Sequence, residues 1–283
     1  PAAIYVFIDR EVLAPALSLP PGLSGALLGL SLANYHARAW RWVVLGEHLR
    51  LAVPVLHQVL YYLAGYCFTS TPAKAGEAVR LWFLKTGHGV PYAHSVPLML
   101  ADRVIDLWAV LILSFMSVAG FAAYAWQGAL LAGVLALVSL PLLFPRRLKP
   151  LVNRLYGLWP ARGRALVRIR RTIDALNELA SWRSYGLTLL PSIGGWFAEC
   201  AALYLLLQQL GADVSMLHAV FVFSFGMIVG ALSMLPGGLG STETTMVLLL
   251  GAIGVGLDVA LAATAIIRPT TFWFATVLGS VLM

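Results

Sequence analysis

The sequence predicts an all-α integral membrane protein, with about seven transmembrane helices and two short re-entrant or broken helices arranged in two pseudo-repeats. Three observations carry this. Apolar residues make up 60% of the 283 and DEKR only 11%, against roughly 25% charged residues in a soluble domain. Mean hydropathy is +0.85, and apolar stretches of about 20 residues, enough to cross a hydrocarbon core, recur along the chain. Two Pro/Gly-punctuated segments, finally, share one spacing.

In order, PAAIYVFI at the start is too short for a span or a full signal peptide, so a preceding segment is expected. GLSGALLGLSLANYHARAWRWVVL, from Gly22, reads as the first complete span. Arg38 and Arg41, with neighbouring tryptophans, are expected to snorkel at its end. Residues 52–68 read as a second span. The punctuated TPAKAGEAVRLWFLKTGHGVP follows, then spans at about 97–124 and 128–144. Downstream, 185–210 and 216–235 are spans, LPGGLGSTETTMVLLLGAIGVGLD is the second punctuated segment, and a last span runs from about 259 to the end. The whole, 1–283, is one membrane domain: a first repeat at about 22–145, a basic loop at about 146–183 and a second repeat at about 184–283.

Ten of the nineteen Lys and Arg fall between Arg146 and Arg183, which places that loop on the cytoplasmic side. Anionic lipid headgroups are a sufficient partner for it, and nucleic acid is not expected. Cys67 and Cys200 sit in apolar stretches and form no disulfide framework. His36, His48, His57, His88, His94 and His218 show no metal-ligand spacing. PGGLG lacks the GK[ST] of a phosphate loop, and Ser70, Ser224 and Ser241 have no companion His–Asp pattern. Neither a metal nor a cofactor is expected, and an enzyme is disfavoured.

The short helices expected at 77–85 and 242–250 would each reach only about 15 Å. Flanked by Gly and Pro, they read as re-entrant elements, since irregular backbone at membrane depth must be buried or line a cavity. A helix lying in the interface plane is the alternative. Pro72 and Pro236, Gly76 and Gly240, and Gly87 and Gly251 are each 164 apart. Gly89 and Gly254, Val90 and Val255, Arg103 and Arg268, and Trp108 and Trp273 are each 165 apart. Paired Gly/Pro-interrupted segments point to a transporter's binding site, with Pro72, Gly76, Pro236, Gly237, Gly238 and Gly240 as hinges.

Ionisable residues within spans each cost about 2.5 to 3.5 kcal/mol to insert. The set kept here is Glu77, Arg80, Asp102, Arg103, Asp106, Glu199, Glu243 and Arg268. Arg103 and Arg268 are expected to hold an anionic headgroup, because a guanidinium fork matches phosphate oxygens. Glu199, Asp102 and Asp106 would orient them or carry protons. A salt-bridge network that only fixes helix packing is the alternative. Helix starts at Thr71-Pro72 and Ser241-Thr242 offer a second anion device, though Glu77 and Glu243 would suit them equally as ordinary caps.

RWVVL, TPAKAGEAVRLWFLK with HGVPYAHSVPLMLADRVIDLWAVLIL, Glu199 in GWFAECAALYLLLQQLGAD, LPGGLGSTETTMVLLLGAIGV and the Arg268 span together resemble the flippase-like family typified by the transmembrane region of lysylphosphatidylglycerol synthases. The resemblance covers nearly the whole chain from Gly22. It implies a lipid flippase moving an aminoacylated, polyprenyl-linked or hopanoid-related lipid. It implies functional roles for Glu77, Arg80, Asp102, Arg103, Asp106, Glu199, Glu243 and Arg268. The first repeat departs from the family's more usual PG-x-x-G, having Pro72-Ala73-Lys74-Ala75-Gly76, and Lys74 adds a cation near the site. With no soluble transferase domain expected, the resemblance implies the translocation part alone.

The expected function is translocation of an anionic or amphipathic lipid headgroup across a bacterial inner membrane, with Arg103, Arg268, Arg80, Lys74, Glu77 and Glu243 at the substrate. Membrane lipids are the partners, and a homodimer is compatible with the sequence. A secondary transporter of a small organic anion, or a non-transporting subunit of a lipid-modifying enzyme, are the alternatives.

Overall fold

The computed structural model describes residues 19–117, 145–148, 163–179 and 182–283, with isolated positions between. The expected span at 128–144, apart from isolated positions, and most of residues 149–162 of the basic loop lie outside the described residues. Every regular element among the described residues is helical: α1 (Pro21–His48), α2 (Val55–Ala64), α3 (Val79–His88), α4 (Tyr92–Ser117), α5 (Gly163–Leu179), α6 (Trp182–Gln209), α7 (Met216–Leu232), α8 (Ser241–Ala252), α9 (Leu257–Arg268) and α10 (Phe274–Val281).

Proline starts and interrupts these helices where its missing N–H is tolerated. Pro21 opens α1 and Pro54 caps α2, positions whose amide has no intrahelical partner anyway. After Arg268, Pro269 cannot continue the i→i−4 ladder. The chain widens into a π-turn, Pro269–Trp273, before α10 resumes. Thr271 Oγ1 donates to the Ile267 carbonyl at 2.7 Å and Thr270 Oγ1 to the same carbonyl at 3.0 Å, which satisfies an acceptor that the turn would leave short.

Two expectations change. The stretch read as a full second span is the ten-residue α2, extended by a 3₁₀ turn, Gly65–Phe68. Together they reach about 23 Å, less than the roughly 30 Å hydrocarbon core. The chain turns back through a second 3₁₀ segment, Pro72–Ala78, into α3. At the break, the Arg80 side chain crosses Gly65, where any Cβ would overlap it, and its Nε donates to the Tyr62 carbonyl. The basic stretch is also not all loop: its residues 163–179 form α5, whose Ile173, Leu176 and Leu179 are buried.

By length and composition, two described segments could cross a bilayer, Gly186–Gln209 and Leu257–Val281, with Met216–Leu232 a shorter apolar helix. The 28-residue α1 and 26-residue α4 are long enough but carry the buried charges described below.

The core has two parts. One gathers α6 to α9 with the C-terminal half of α4, through Leu203, Phe221, Met246 and Ile267. The other gathers α1 to α3 with the start of α4, through Trp42, Tyr62, Leu84 and Leu98. They are joined by α1 lying along α6, where Gly195 faces Asn34 and Ala37 so closely that a side chain would collide. The two interrupted segments meet: Pro72–Ala78 contacts the Pro236–Gly238 turn.

Candidate functional site

Where α1, α4 and α6 converge, buried charges form one continuous network. Arg41, fully buried, donates through Nε to Asp102 Oδ1 at 2.9 Å and through Nη2 to the same oxygen. Its Nη1 reaches Asp106 Oδ1 at 2.6 Å and Ser192 Oγ at 2.9 Å. Arg38 donates to Asp106 Oδ2 at 2.6 Å, and Trp196 Nε1 to Asp106 Oδ1 at 3.1 Å. Helix geometry sets this up, since residues three or four apart share a face, so Arg38 and Arg41 on α1 meet Asp102 and Asp106 on α4. These two arginines are not the snorkelling interfacial cations the sequence suggests, because two buried carboxylates hold them inside.

The network continues to the first interrupted segment. Arg103 Nη2 donates to Glu77 Oε2 at 2.7 Å and Asp102 Oδ2 at 3.0 Å. Glu77 is also 2.8 Å from Arg80 Nη1 and accepts from Thr69 Oγ1 at 3.1 Å. Arg80 donates through Nε to the Tyr62 carbonyl at 2.9 Å. Its guanidinium carbon lies 3.9 Å from the Tyr62 ring centroid, a cation–π arrangement that fixes it. Lys74 lies on this segment, but its side chain is outside the described set. At Thr71 the hydroxyl serves the turn itself, accepting from Gly76 N at 2.7 Å and donating to the Phe68 carbonyl at 2.8 Å.

The second interrupted segment is built around Arg268. Its Nε donates to Glu243 Oε1 at 2.5 Å and its Nη2 to the Gly237 carbonyl at 2.9 Å, and its guanidinium stands 4.6 Å from the Phe272 centroid. Glu243 Oε2 accepts from Gly240 N at 2.6 Å, the capping geometry of a third-position acid. Gly237 and Gly238 have φ of 61° and 68°, where L side chains are strained. A Cβ at Gly238 would come 3.0 Å from Gly230 Cα, so α7 packs directly on this turn. Glu199 accepts from Asn34 Nδ2 at 2.6 Å across the α1–α6 seam.

Between these groups lies a cavity of about 190 Å³. Arg103, Asp106, Trp196 and Thr242 give it a polar edge; Val110, Met227 and Leu235 give it apolar walls, and Gly237 and Gly238 close one side. A second cavity of about 40 Å³ is lined by Arg38, Glu199 and Arg268 with Thr69 and Tyr66, and shares Trp196 and Met227 with the first. The two arginines expected to act together thus line neighbouring cavities, and they differ: the Arg103 side chain is 28% exposed and that of Arg268 only 2%.

Sequence reasoning missed Asn34, Arg38, Arg41, Ser192 and Trp196. One signal was present. The eight intramembrane groups comprise five carboxylates and three guanidiniums, and Arg38 with Arg41 brings the arginines to five.

The profile of the family described as the lysylphosphatidylglycerol synthase TM region matches residues 2–279. A UPF0104 membrane protein of Methanothermobacter thermautotrophicus is 26% identical over 260 residues, covering 86% of this chain and 77% of its own length. A second from the same organism is 25% identical over 265 residues, covering 84% and 78%. A UPF0104 membrane protein of Pyrococcus horikoshii is 25% identical over 271 residues, covering 86% and 80%.

Proposed function

Because the chain belongs to the lysylphosphatidylglycerol synthase TM-region family and is a membrane protein, we propose that it translocates a lipid with an anionic headgroup across a cytoplasmic membrane, without enzymatic chemistry. The observation that carries this reading is the 190 Å³ cavity beside the second interrupted segment, which pairs apolar walls with the partly exposed guanidinium of Arg103, itself paired with Glu77 of the first segment. A headgroup leaving water loses its hydration, and fixed charges and dipoles offset that loss. Arg103 supplies the charge; Trp196 and Thr242 line the same edge.

The order of elements supports a two-fold construction. Long helix, helix, turn segment, short helix and long helix occur as α1 to α4 and again as α6 to α10, with starts at 21, 55, 72, 79 and 92 matched by 182, 216, 236, 241 and 257. In this reading each interrupted segment dips into the bilayer from its own half, and the place where they touch is the transport route. The basic stretch around α5 faces anionic headgroups on the cytoplasmic side.

One observation favours a second reading, a non-transporting membrane subunit: Arg38, Arg41, Arg80, Arg103 and Arg268 each have a carboxylate within 3.0 Å, as a purely structural network would. Translocation of headgroup-labelled phosphatidylglycerol in proteoliposomes separates the two. Transport predicts that the wild type moves the lipid faster than protein-free liposomes and that Arg103→Ala slows it roughly tenfold or more, the effect of losing one charge-assisted bond. A wild type no faster than empty liposomes would leave the structural reading standing.

A further inference from the structure

We propose that Glu77 is a built-in rival of the headgroup for Arg103, so that binding of an anion releases the Pro72–Ala78 segment while the Pro236–Gly238 turn stays held. This rests on the reading of the 190 Å³ cavity as the headgroup site.

The two interrupted segments are tied down unequally. Pro72–Ala78 is tied to α4 through Glu77 and Arg103, and Arg103 is the arginine that lines the larger cavity and is 28% exposed. Its Nη2 is divided between Glu77 and Asp102, and its buried Nε has no hydrogen-bond partner among the described residues. A phosphodiester oxygen arriving from the cavity therefore competes for a guanidinium whose donors are incompletely used. Displacing Glu77 strands no charge, since Glu77 keeps Arg80 and Thr69 and Asp102 keeps Arg41. The exchange replaces one ion pair by another, so it avoids the cost of an uncompensated buried charge.

The other tie has no such slack. Arg268 is 2% exposed, with Nε on Glu243, Nη2 on the Gly237 carbonyl and its guanidinium carbon over the Phe272 ring. Taking Glu243 away would also remove the acceptor on Gly240 N. Arg268 is thus a positioning residue that holds its turn, and Arg103 is the binding residue. The ligand chemistry is a phosphate oxygen on an anionic headgroup, presented by phosphatidylglycerol and by soluble glycerol 3-phosphate as probes.

The test is hydrogen–deuterium exchange on the full chain in nanodiscs of phosphatidylcholine alone, of phosphatidylcholine with phosphatidylglycerol, and of phosphatidylcholine with glycerol 3-phosphate in solution. The proposal expects exchange in residues 72–88 to rise several-fold with phosphatidylglycerol while 236–252 does not change. A matching rise with glycerol 3-phosphate supports the exchange and assigns recognition to the phosphate; no rise with it supports the exchange and assigns recognition to the lipid. Equal loosening of both segments, or none in 72–88 while native mass spectrometry shows lipid bound, overturns it. In Glu77→Gln, half-saturation by phosphatidylglycerol should fall roughly tenfold. If Arg103→Ala loses the lipid while Glu77→Gln and wild type saturate alike, the rivalry fails and the cavity reading stands. If Arg103→Ala binds the lipid as well as wild type, both fail.

Discussion

At the residue scale, Arg41 organises the centre of the protein. It is fully buried and bridges Asp102 and Asp106, so its removal would leave two carboxylates short of their countercharge in a poorly hydrated place. Arg41→Ala should destabilise the folded protein by about 3–5 kcal/mol, measured as a lower unfolding temperature in detergent. Arg41→Lys should recover only part of this, because an ammonium cannot span both acids as the planar fork does. The sequence showed Asp102, Arg103 and Asp106 as a charged turn inside an apolar helix. It did not show which cations they meet. Arg38 and Arg41 sit beside Trp40 and Trp42 near the end of α1, a pattern equally suited to a membrane interface, and only the packing of α1 on α4 and α6 separates the two.

At the element scale, the turns define the site, and their glycines are not equivalent. Gly238 combines φ of 68° with a backbone neighbour 3.0 Å from any added Cβ, whereas Gly89, also at φ 68°, has open space. Gly89 closes α3 with a left-handed residue, a position Asn tolerates. Gly238→Ala should therefore cost about 1–3 kcal/mol or more, and Gly89→Asn about 1 kcal/mol or less, compared by thermal unfolding of the purified variants. A third glycine, Gly279 on α10, lies against the Leu63 carbonyl and the Tyr66 backbone, each 2.9 Å from an ideal Cβ. Gly279→Val should push α10 off the Gly65–Phe68 turn and lower folded yield in membranes. Gly and Pro made both interrupted segments legible from sequence, because their backbone preferences are local. The shortness of α2 was not legible, since VLHQVLYYLAGYCF is largely apolar and the Arg80 side chain that packs at Gly65 comes from a later segment.

At the scale of the whole molecule, the helical membrane character and the matching spacing of Pro72 with Pro236 and Arg103 with Arg268 were legible, because composition and turn-formers survive without tertiary knowledge. The unequal status of Arg103 and Arg268 was not. Identical residue types at matched positions differ in exposure and in partners: Arg103 shares Glu77 with Arg80, whereas the Glu243 that holds Arg268 also caps α8. The function proposed places the headgroup at the more exposed of the two: Arg103 borders the larger cavity, whereas Arg268, beside the smaller one, is held by Glu243 and the Gly237 carbonyl. The most direct measurement is photocrosslinking with phosphatidylglycerol that carries a diazirine on its headgroup, mapped by mass spectrometry. Adducts on Leu107, Val110 and Met227, lost in Arg103→Ala, are the result expected of a headgroup lodged in the cavity. Adducts confined to outward-facing side chains such as Phe115, Leu190 and Leu248, and unaffected by Arg103→Ala, would contradict it.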